Sequence, residues 1–218
     1  MTAPVKTLKV ERETAPPAPP MEITVARTLD ELMQVMNVRS QAFIGDQSCP
    51  YAEEFDGNDF AGATHFLLRI GGEPAGTARM RWFGEFAKLE RVAVTAAFRG
   101  SQAAIALIQA GSDLASRKGY KKMLAYGQPK LLPYWQAMFG EDVVQPRRDR
   151  NGFVFSDHQY VEMVIELDQV EDALTLEDAP LRLNRPEGEW DRAGVLDRSA
   201  RRGATNPMRG RSSRKRAA

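Results

Sequence analysis

The amino-acid sequence predicts one mixed α/β domain over residues 21–168, with a central sheet flanked by helices. Three observations indicate this class. Short apolar segments that alternate with polar residues are typical of strands. A longer segment rich in Ala, Leu and Ile has helical spacing. The segments follow one another in the order β-α-β-β-β-α-β-α-β-β-β, which predicts a single strand-to-helix crossover near the middle of the sheet.

The first half of the domain is predicted to contain four strands and one helix. A first strand contains Ile23 and Val25. Asp30 offers a helix N-cap, and apolar residues at helical spacing continue to Ile44. A polar, turn-rich segment follows. Three further strands are predicted over residues 64–70, 75–83 and 86–94, and the first two form a hairpin through Gly71-Gly72.

The second half is predicted to contain two helices and four strands. The longer helix covers residues 103–118 and ends at Gly119, since glycine commonly follows the last helical residue. The other elements are a helix over residues 131–139 and strands over residues 122–126, 142–145, 152–155 and 160–167. Residues 169–218 form a C-terminal extension that is weakly amphipathic at first and is expected to be solvated beyond Arg185.

The N-terminal head, residues 1–20, is rich in proline and is expected to be disordered. It has no signal-peptide pattern, and no apolar segment reaches membrane-spanning length, so the expected location is the cytoplasm. The single cysteine, Cys49, excludes an intrachain disulfide. Two histidines and one cysteine without ligand spacing indicate that there is no metal site.

Charge is distributed unevenly along the chain. Residues 192–218 contain nine Arg or Lys residues and one carboxylate, a net charge of +8, whereas the whole chain carries +1 and the remainder therefore −7. Such a segment could bind RNA or DNA through phosphates without sequence specificity. It lacks aromatic residues after Trp190, which argues against base stacking. A solvated tail without a partner explains the same composition.

The segment from Leu89 to Leu107 has the pattern of an anion site. A hydrophobic strand leads into Arg99-Gly100, and a helix then begins with small residues. Unpaired backbone N–H groups and the helix dipole favour a phosphate at such a helix start, and an arginine adds bidentate donors. By itself, the pattern is in most sequences that of an ordinary turn before an Ala-rich helix.

Taken in order along residues 22–167, these motifs resemble the GNAT superfamily of acyl-CoA-dependent N-acyltransferases. The resemblance also rests on residues outside the anion motif: Arg39 and Phe43, Glu54 to Asp59, Ala63 to Leu67, Gly72 to Arg79, Gln128, Pro133 to Trp135 and Tyr160 to Met163. Part of this pattern is similar to acyl-homoserine-lactone synthases, which share the fold. The resemblance therefore implies a GNAT fold and leaves the length of the acyl chain open.

The resemblance implies a binding site for acetyl-CoA or another acyl-CoA. The strand residues Val92, Ala93 and Val94 would pair with the pantetheine arm. The pyrophosphate would lie at the turn and helix start formed by Arg99, Gly100, Ser101, Gln102, Ala103 and Ala104. Gln102 stands where the family usually has glycine. Trp135 aligns with the family's acidic tyrosine but cannot donate a proton as an acid, so Tyr134 is the candidate only if the helix register differs.

Catalytic and acceptor-binding residues are predicted from the same segments. Glu90 is the candidate general base, although an ion pair with Arg91 or Lys88 explains it equally. Glu54, Asp56 and Asp59 are expected to form an acidic rim that attracts a cationic amine, or else to be a solvated loop. Arg39 and Arg79 are expected to pair with this acidic loop rather than with substrate.

The sequence thus predicts an N-acyltransferase, and an acetyltransferase in particular, that acts on a small-molecule or protein amine by direct attack. The oxyanion would be stabilised by backbone N–H groups near Val92 to Val94. A longer-chain acyltransferase is one alternative. A catalytically degenerate domain that senses CoA or associates with nucleic acid is another, and Gln102 and Trp135 favour it. A homodimer is also compatible with the resemblance.

Overall fold

The computed structural model describes residues 19–146 and 153–199. The expectation of a disordered head therefore falls, apart from its last two residues, outside the described residues. Most of the basic tail also lies outside them.

The fold is a mixed α/β domain, and the predicted fold class is confirmed. Among the described residues, the sheet is antiparallel except for one central parallel pair, formed by the fourth and fifth strands of the spatial order. In spatial order the strands are β1 (Met21–Val25), β2 (Thr64–Ile70), β3 (Glu73–Trp82), β4 (Ala87–Val94), β5 (Lys122–Gly127), β8 (His158–Glu166) and β6 (Val144–Pro146); β7 (Phe153–Phe155) forms a hairpin with β8. The parallel neighbours are thus β4 and β5, joined by the predicted crossover.

Within the described residues the three predicted helices are present, and three short α-helices that were not predicted occur at residues 51–54, 180–183 and 195–199. In chain order, these helices are α1 (Leu29–Arg39), α2 (Tyr51–Glu54), α3 (Ala103–Arg117), α4 (Leu132–Phe139), α5 (Pro180–Leu183) and α6 (Val195–Ser199). After Arg39 the chain widens into a π-helical turn, Ser40–Gly45. Within the described residues, no helix is both long and apolar enough to cross a membrane.

The start of α1 differs from the sequence prediction. Thr28, not Asp30, is the N-cap: its hydroxyl accepts the N–H of Glu31 at 3.2 Å, and the Glu31 carboxylate accepts the N–H of Thr28 at 3.0 Å. This reciprocal pair satisfies two backbone donors at the helix start. The prediction was wrong because the capping-box signal is Thr28 followed three residues later by Glu31, which places the N-cap two residues before Asp30.

The two faces of the sheet differ in polarity. The α3 face is apolar, and Gly111 allows the helix to approach it: a Cβ at Gly111 would lie 3.1 Å from Met80 Sδ and 3.3 Å from Leu89 Cδ1. The opposite face, covered by α1 and the following loop, carries fully buried Arg39 and Arg79. Because successive strand residues alternate between faces, Arg79 and Met80 lie on opposite sides of β3.

The C-terminal segment packs on the domain, so the expectation of a solvated chain beyond Arg185 is wrong for residues 187–190. Trp190 is 4% exposed and belongs to the main core. Glu187 accepts a hydrogen bond from Thr64 Oγ1 at 2.6 Å and pairs with Lys118. Arg117 stacks over the Trp190 ring, with its Cζ 5.2 Å from the ring centroid.

Candidate functional site: the cleft between two parallel strands

The candidate site is a cleft that opens where β4 and β5 separate. The two strands pair only from Ala87 with Met123 to Leu89 with Ala125, although both continue beyond these residues. The separation leaves a cavity of about 1280 Å³ between them. Its walls come from both strands, the start of α3, α4, α2 and the β7–β8 hairpin.

A β-bulge in β4 shapes one wall of the cleft. Thr77 pairs with Ala93 and Arg79 pairs with Glu90, so two residues of β4, Arg91 and Val92, oppose one residue of β3. Arg91 has a left-handed backbone, with φ of 55°. Bulges redirect the strand and leave backbone groups outside the ladder. Because β5 has already diverged, the backbone of β4 after Leu89 is available to an added strand.

The predicted phosphate-binding turn lies at one end of this cleft. Gly100 has φ of 80°, and no side chain caps the start of α3 at Gln102. The Ser101 hydroxyl accepts the Ala103 N–H at 3.3 Å. Ser101 thus occupies one N–H group of the helix start, and the dipole of the 15-residue helix together with its other N–H groups favours an anion at this place.

The other predicted donor-binding residues take different positions. Val92, Arg99 and Ala104 line the cleft, whereas Ala93 and Ala103 are buried. Arg99 forms an ion pair with Asp46, and its Nε donates to the Val94 carbonyl at 3.2 Å. Nε and Nη2 of Arg99 are therefore engaged, and these two atoms must leave Val94 and Asp46 if they are to bind a phosphate.

Glu90 lines the cleft at the point where the strands separate, but both of its oxygens are engaged. Oε1 lies 2.9 Å from Arg79 Nη2, and Oε2 lies 2.8 Å from Lys88 Nζ. Only 8% of the side chain is exposed. The expected pairing with Lys88 is present, whereas the pairing with Arg91 is replaced by one with Arg79.

The expected acidic rim is largely internal. Glu54 is fully buried against Arg39, and Asp59 is 7% exposed and contacts both Arg39 and Arg79. Of the three carboxylates, Asp56 alone lines the cleft, and it pairs with Arg79 and Arg91. The expectation of a solvent-facing rim is therefore corrected: Arg39 of α1 and Arg79 of β3 hold Glu54 and Asp59 inside the protein. The expected pairing of Arg39 and Arg79 with the acidic loop is present.

Burial and ion pairing have opposite effects on these carboxylates. Burial raises the pKa of Glu54. Burial also acts to raise the pKa of Asp56 and of Asp59, but hydrogen bonds from arginine lower both pKa values below the usual range. Asp56 and Asp59 therefore remain ionised beside the arginines and serve as their counter-ions.

The α4 wall contains both residues considered for thiolate protonation. Trp135 is 6% exposed and Tyr134 is 40% exposed, and both line the cleft. Burial raises the pKa of the Tyr134 hydroxyl. The indole Nε1 of Trp135 would lie 3.3 Å from a Cβ at Gly127, so Trp135 sits beside the end of β5.

Three polar residues of the cleft were not predicted as site residues. Tyr126 is the first residue of β5 beyond the paired region; its hydroxyl lies 3.2 Å from Glu162 Oε2, and Lys88 Nζ lies 4.8 Å from its ring centroid. Tyr160 also lines the cleft. Glu53 lines it from α2, and its Oε2 accepts the Ser156 N–H at 3.0 Å. The strand period could have indicated Tyr126, which follows the last paired residue, whereas no sequence signal separated Glu53 from Glu54.

Among the described residues, no group of three or more His, Cys, Asp or Glu side chains could hold a metal ion. Cys49 is buried beside Pro50, whose carbonyl its thiol approaches at 3.6 Å. Burial raises the pKa of this thiol.

Known proteins resemble this chain in sequence and in fold. The uncharacterized N-acetyltransferase YjcF of Bacillus subtilis (strain 168) is 24% identical over 116 residues, which cover 53% of this chain and 82% of YjcF. An acyl-CoA N-acyltransferase from Pseudomonas aeruginosa has the same fold, with a TM-score of 0.58, 22% identity, and coverage of 67% of this chain and 99% of that one. FeeM, an N-acyl amino acid synthase from uncultured soil microbes, has a TM-score of 0.57 and 12% identity over 68% of this chain and 90% of FeeM.

A family model assigns the chain more directly. The model of the acetyltransferase (GNAT) family matches residues 32–140, half of the chain, including the bulged strand, the crossover helix and α4. This family transfers acyl groups from acyl-CoA to amines. The chain belongs to the GNAT acetyltransferase family and is an N-acyltransferase.

Proposed function

We propose that this N-acyltransferase transfers an acetyl group from acetyl-CoA to a primary amine by direct attack in a ternary complex. The observation that carries the proposal is the position of the cleft. It opens where β4 leaves β5, and it ends at the uncapped start of α3. Such a cleft suits an extended donor with a diphosphate at one end and a thioester at the other. The diphosphate would lie at the start of α3, and the thioester would lie where the strands separate.

The described residues fit such a donor. The unpaired edge of β4 from Glu90 to Val94 offers N–H and C=O groups to the amides of an extended pantetheine arm. The N–H groups of Gln102 and Ala104 at the start of α3 offer donors to the diphosphate, and the N–H of Ala103 joins them when it leaves the Ser101 hydroxyl. The Gln102 side chain lies beside these donors. The affinity for the diphosphate therefore depends on whether this side chain crowds the diphosphate or donates a hydrogen bond to it.

In acyl transfer the amine loses a proton, and the C–N bond forms while the C–S bond breaks. The protein contributes a base, donors for the developing oxyanion and an acid for the departing thiolate. A carboxylate of the cleft, Glu53 or Glu90, takes the proton from the amine. Backbone N–H groups of the bulge and the following residues, Val92 to Val94, stabilise the negative charge that develops on the carbonyl oxygen. A hydroxyl of the cleft, with Tyr134 or Tyr126 as candidates, protonates the departing thiolate.

The floor of the cleft favours a second candidate, a longer acyl group. Leu89 and Ile108 are each 2% exposed and line the cleft from the apolar side of the sheet. Together with Trp135 they form an apolar surface that could hold methylene groups. FeeM, which has a similar fold, is an N-acyl amino acid synthase. The second candidate is therefore the transfer of a longer acyl chain to an amino acid.

Calorimetric titration of the full chain with acetyl-CoA, palmitoyl-CoA and free CoA tests the donor. We expect acetyl-CoA to bind with micromolar affinity, and Arg99→Glu to weaken the binding at least tenfold. Lys122→Glu, which reverses an exposed charge at the far end of β5, is the matched control and should bind as the wild type does. A preference for palmitoyl-CoA would favour the longer-chain alternative, and failure of all three to bind would contradict the function.

Thiol release in the presence of candidate amines tests the acceptor. The amines are spermidine, L-lysine, L-glutamine and a peptide with an N-terminal alanine. The peptide is included because one similar structure is a ribosomal-protein-S18-alanine N-acetyltransferase. Mass spectrometry of the product locates the acyl group. Acylation of oxygen rather than nitrogen, or release of the thiol at the same rate without any amine, would contradict the proposed reaction.

A further inference from the structure

Arg91 is unusual because its backbone and side chain both belong to the wall of the cleft. It occupies the bulge of β4 with φ of 55°, a conformation that glycine and asparagine adopt more readily than arginine. A residue that adopts an unfavourable backbone conformation at a functional site is held in that conformation by the surrounding structure. For Arg91, these surroundings are the contacts of its guanidinium group.

The guanidinium group binds the α2 segment by its backbone. Nη2 donates to the Glu53 carbonyl at 2.7 Å, and Nε donates to the Glu54 carbonyl at 3.3 Å. Nε also lies 3.0 Å from Glu54 Oε2. Since 12% of the side chain is exposed, these are contacts of a largely buried arginine that holds the main chain of α2 at a fixed distance from β4.

The same side chain reaches the β7–β8 hairpin. Its Cζ lies 4.9 Å above the ring of Phe155, at the end of β7. Glu53, whose carbonyl Arg91 binds, uses its own carboxylate to accept the N–H of Ser156 in the adjoining turn. Arg91 thus connects three walls of the cleft: the bulge of β4, the α2 segment and the tip of the hairpin.

We propose that Arg91 is a positioning residue that couples the bulge of β4 to the two walls facing it. The bulge sets the direction of the following N–H groups, while the side chain sets where Glu53 and the hairpin lie relative to them. The inference rests on the proposed acyl transfer, since it assigns Arg91 no contact with substrate. Arg91 instead fixes the distance between the backbone donors and the acceptor side of the cleft.

A glycine substitution separates this role from a purely structural one. Arg91→Gly keeps the left-handed backbone without conformational cost, so the bulge and the donor-binding edge should persist. We expect the affinity for acetyl-CoA, measured by calorimetry, to stay within about twofold of the wild type, because the donor site does not need the guanidinium. Thiol release with the best of the four amines should fall at least tenfold, through kcat and through the KM of the amine.

Two further variants complete the test. Arg27→Ala removes an arginine that also binds a backbone carbonyl and a carboxylate, but at the C-terminal segment and away from the cleft, so its turnover should equal that of the wild type. Arg91→Lys keeps the charge without the two-carbonyl contact, and should retain the fold with at least fivefold lower turnover. If Arg91→Gly does not fold, the Arg91→Lys result decides.

Wild-type turnover in Arg91→Gly or Arg91→Lys, even with a lower melting temperature, would overturn the inference, because a merely structural residue changes stability alone. Loss of acetyl-CoA affinity in a folded Arg91→Gly variant would also overturn it, since the donor site would then depend on the guanidinium. Failure of the wild-type chain to bind any acyl-CoA would instead contradict the proposed function itself.

Discussion

Glu187 accepts a hydrogen bond from the hydroxyl of Thr64 at 2.6 Å, although the two residues are 123 positions apart in the chain. The Thr64 hydroxyl in turn accepts the indole N–H of Trp82 at 3.0 Å. These bonds join the C-terminal segment to the start of β2, and Trp190 then enters the core three residues later. The packed core of the chain therefore extends beyond the last strand to residue 190.

Trp190→Ala should lower the free energy of unfolding by about 3 kcal/mol, because it removes a large buried aromatic side chain and leaves a cavity. Urea denaturation followed by far-UV circular dichroism measures the loss. Val195→Ala is the control, since Val195 is 71% exposed in the same segment. Equal denaturation midpoints for the two variants would mean that the docked segment contributes nothing to stability.

Glu53→Gln should reduce turnover more than Glu90→Gln does. Among the described residues, Glu53 forms no ion pair, whereas each oxygen of Glu90 already contacts a cation. A carboxylate with both oxygens in contact with cations is less available to bind and deprotonate an amine. We expect a loss of about 100-fold in kcat for Glu53→Gln, with unchanged affinity for acetyl-CoA. Glu85→Gln, in the exposed β3–β4 turn, is the control, and a larger effect of Glu90→Gln would restore Glu90 as the base.

Gln102→Gly should strengthen acetyl-CoA binding. Gln102 makes no capping bond at the start of α3, so its removal costs the helix little, and glycine lets an anion approach the N–H groups more closely. Calorimetry at low and at high salt should give a lower Kd for the variant at both. Unchanged or weaker binding would mean that the Gln102 amide itself donates to the diphosphate.

Gly127→Ala should disturb the cleft as well as stability. The new Cβ would lie 2.8 Å from Met163 Cε and 3.3 Å from Trp135 Nε1, so Trp135 must move. We expect the free energy of unfolding to fall by about 1–3 kcal/mol and the tryptophan fluorescence to change. Gly84→Ala, which meets open space, is the control. If both variants behave like the wild type, Met163 alone absorbs the added methyl group.

The buried His65 should make stability depend on pH. Burial lowers the pKa of His65, which lies beside Asp59, Arg39 and Arg79. The unfolded chain therefore binds the proton more readily, and stability is lost as the pH falls below the unfolded value of about 6.5. Glu54, whose pKa burial raises, acts in the opposite direction. A comparison with His65→Gln isolates the histidine.

The stability advantage of wild type over His65→Gln should shrink steadily between neutral pH and about pH 5. Urea denaturation at several pH values measures it. Parallel curves for the two proteins would show that His65 has the same pKa folded and unfolded.

The sequence predicted the sheet closely because strand periodicity and turn glycines are local signals. The strand prediction over residues 64–70 matches β2, and the Gly71-Gly72 turn lies between β2 and β3. Burial of charge was not predictable in the same way. Whether Glu54 faces solvent or Arg39 depends on how the loop folds back over the sheet, and no local pattern records that. The docking of Trp190 likewise depends on an opening at the end of α3 that exists only in the folded domain.

The anchoring of residues 187–190 also has a consequence for the order of folding. The β2–β3 and β3–β4 hairpins close over short turns, whereas the bond between Thr64 and Glu187 closes a loop of 123 residues. Closing a long loop costs more chain entropy, so the sheet should assemble before the C-terminal segment docks. A nascent chain would thus form its strands before the C-terminal segment covers the start of β2 at Thr64. Burial of Trp190 then marks the moment at which the domain becomes complete.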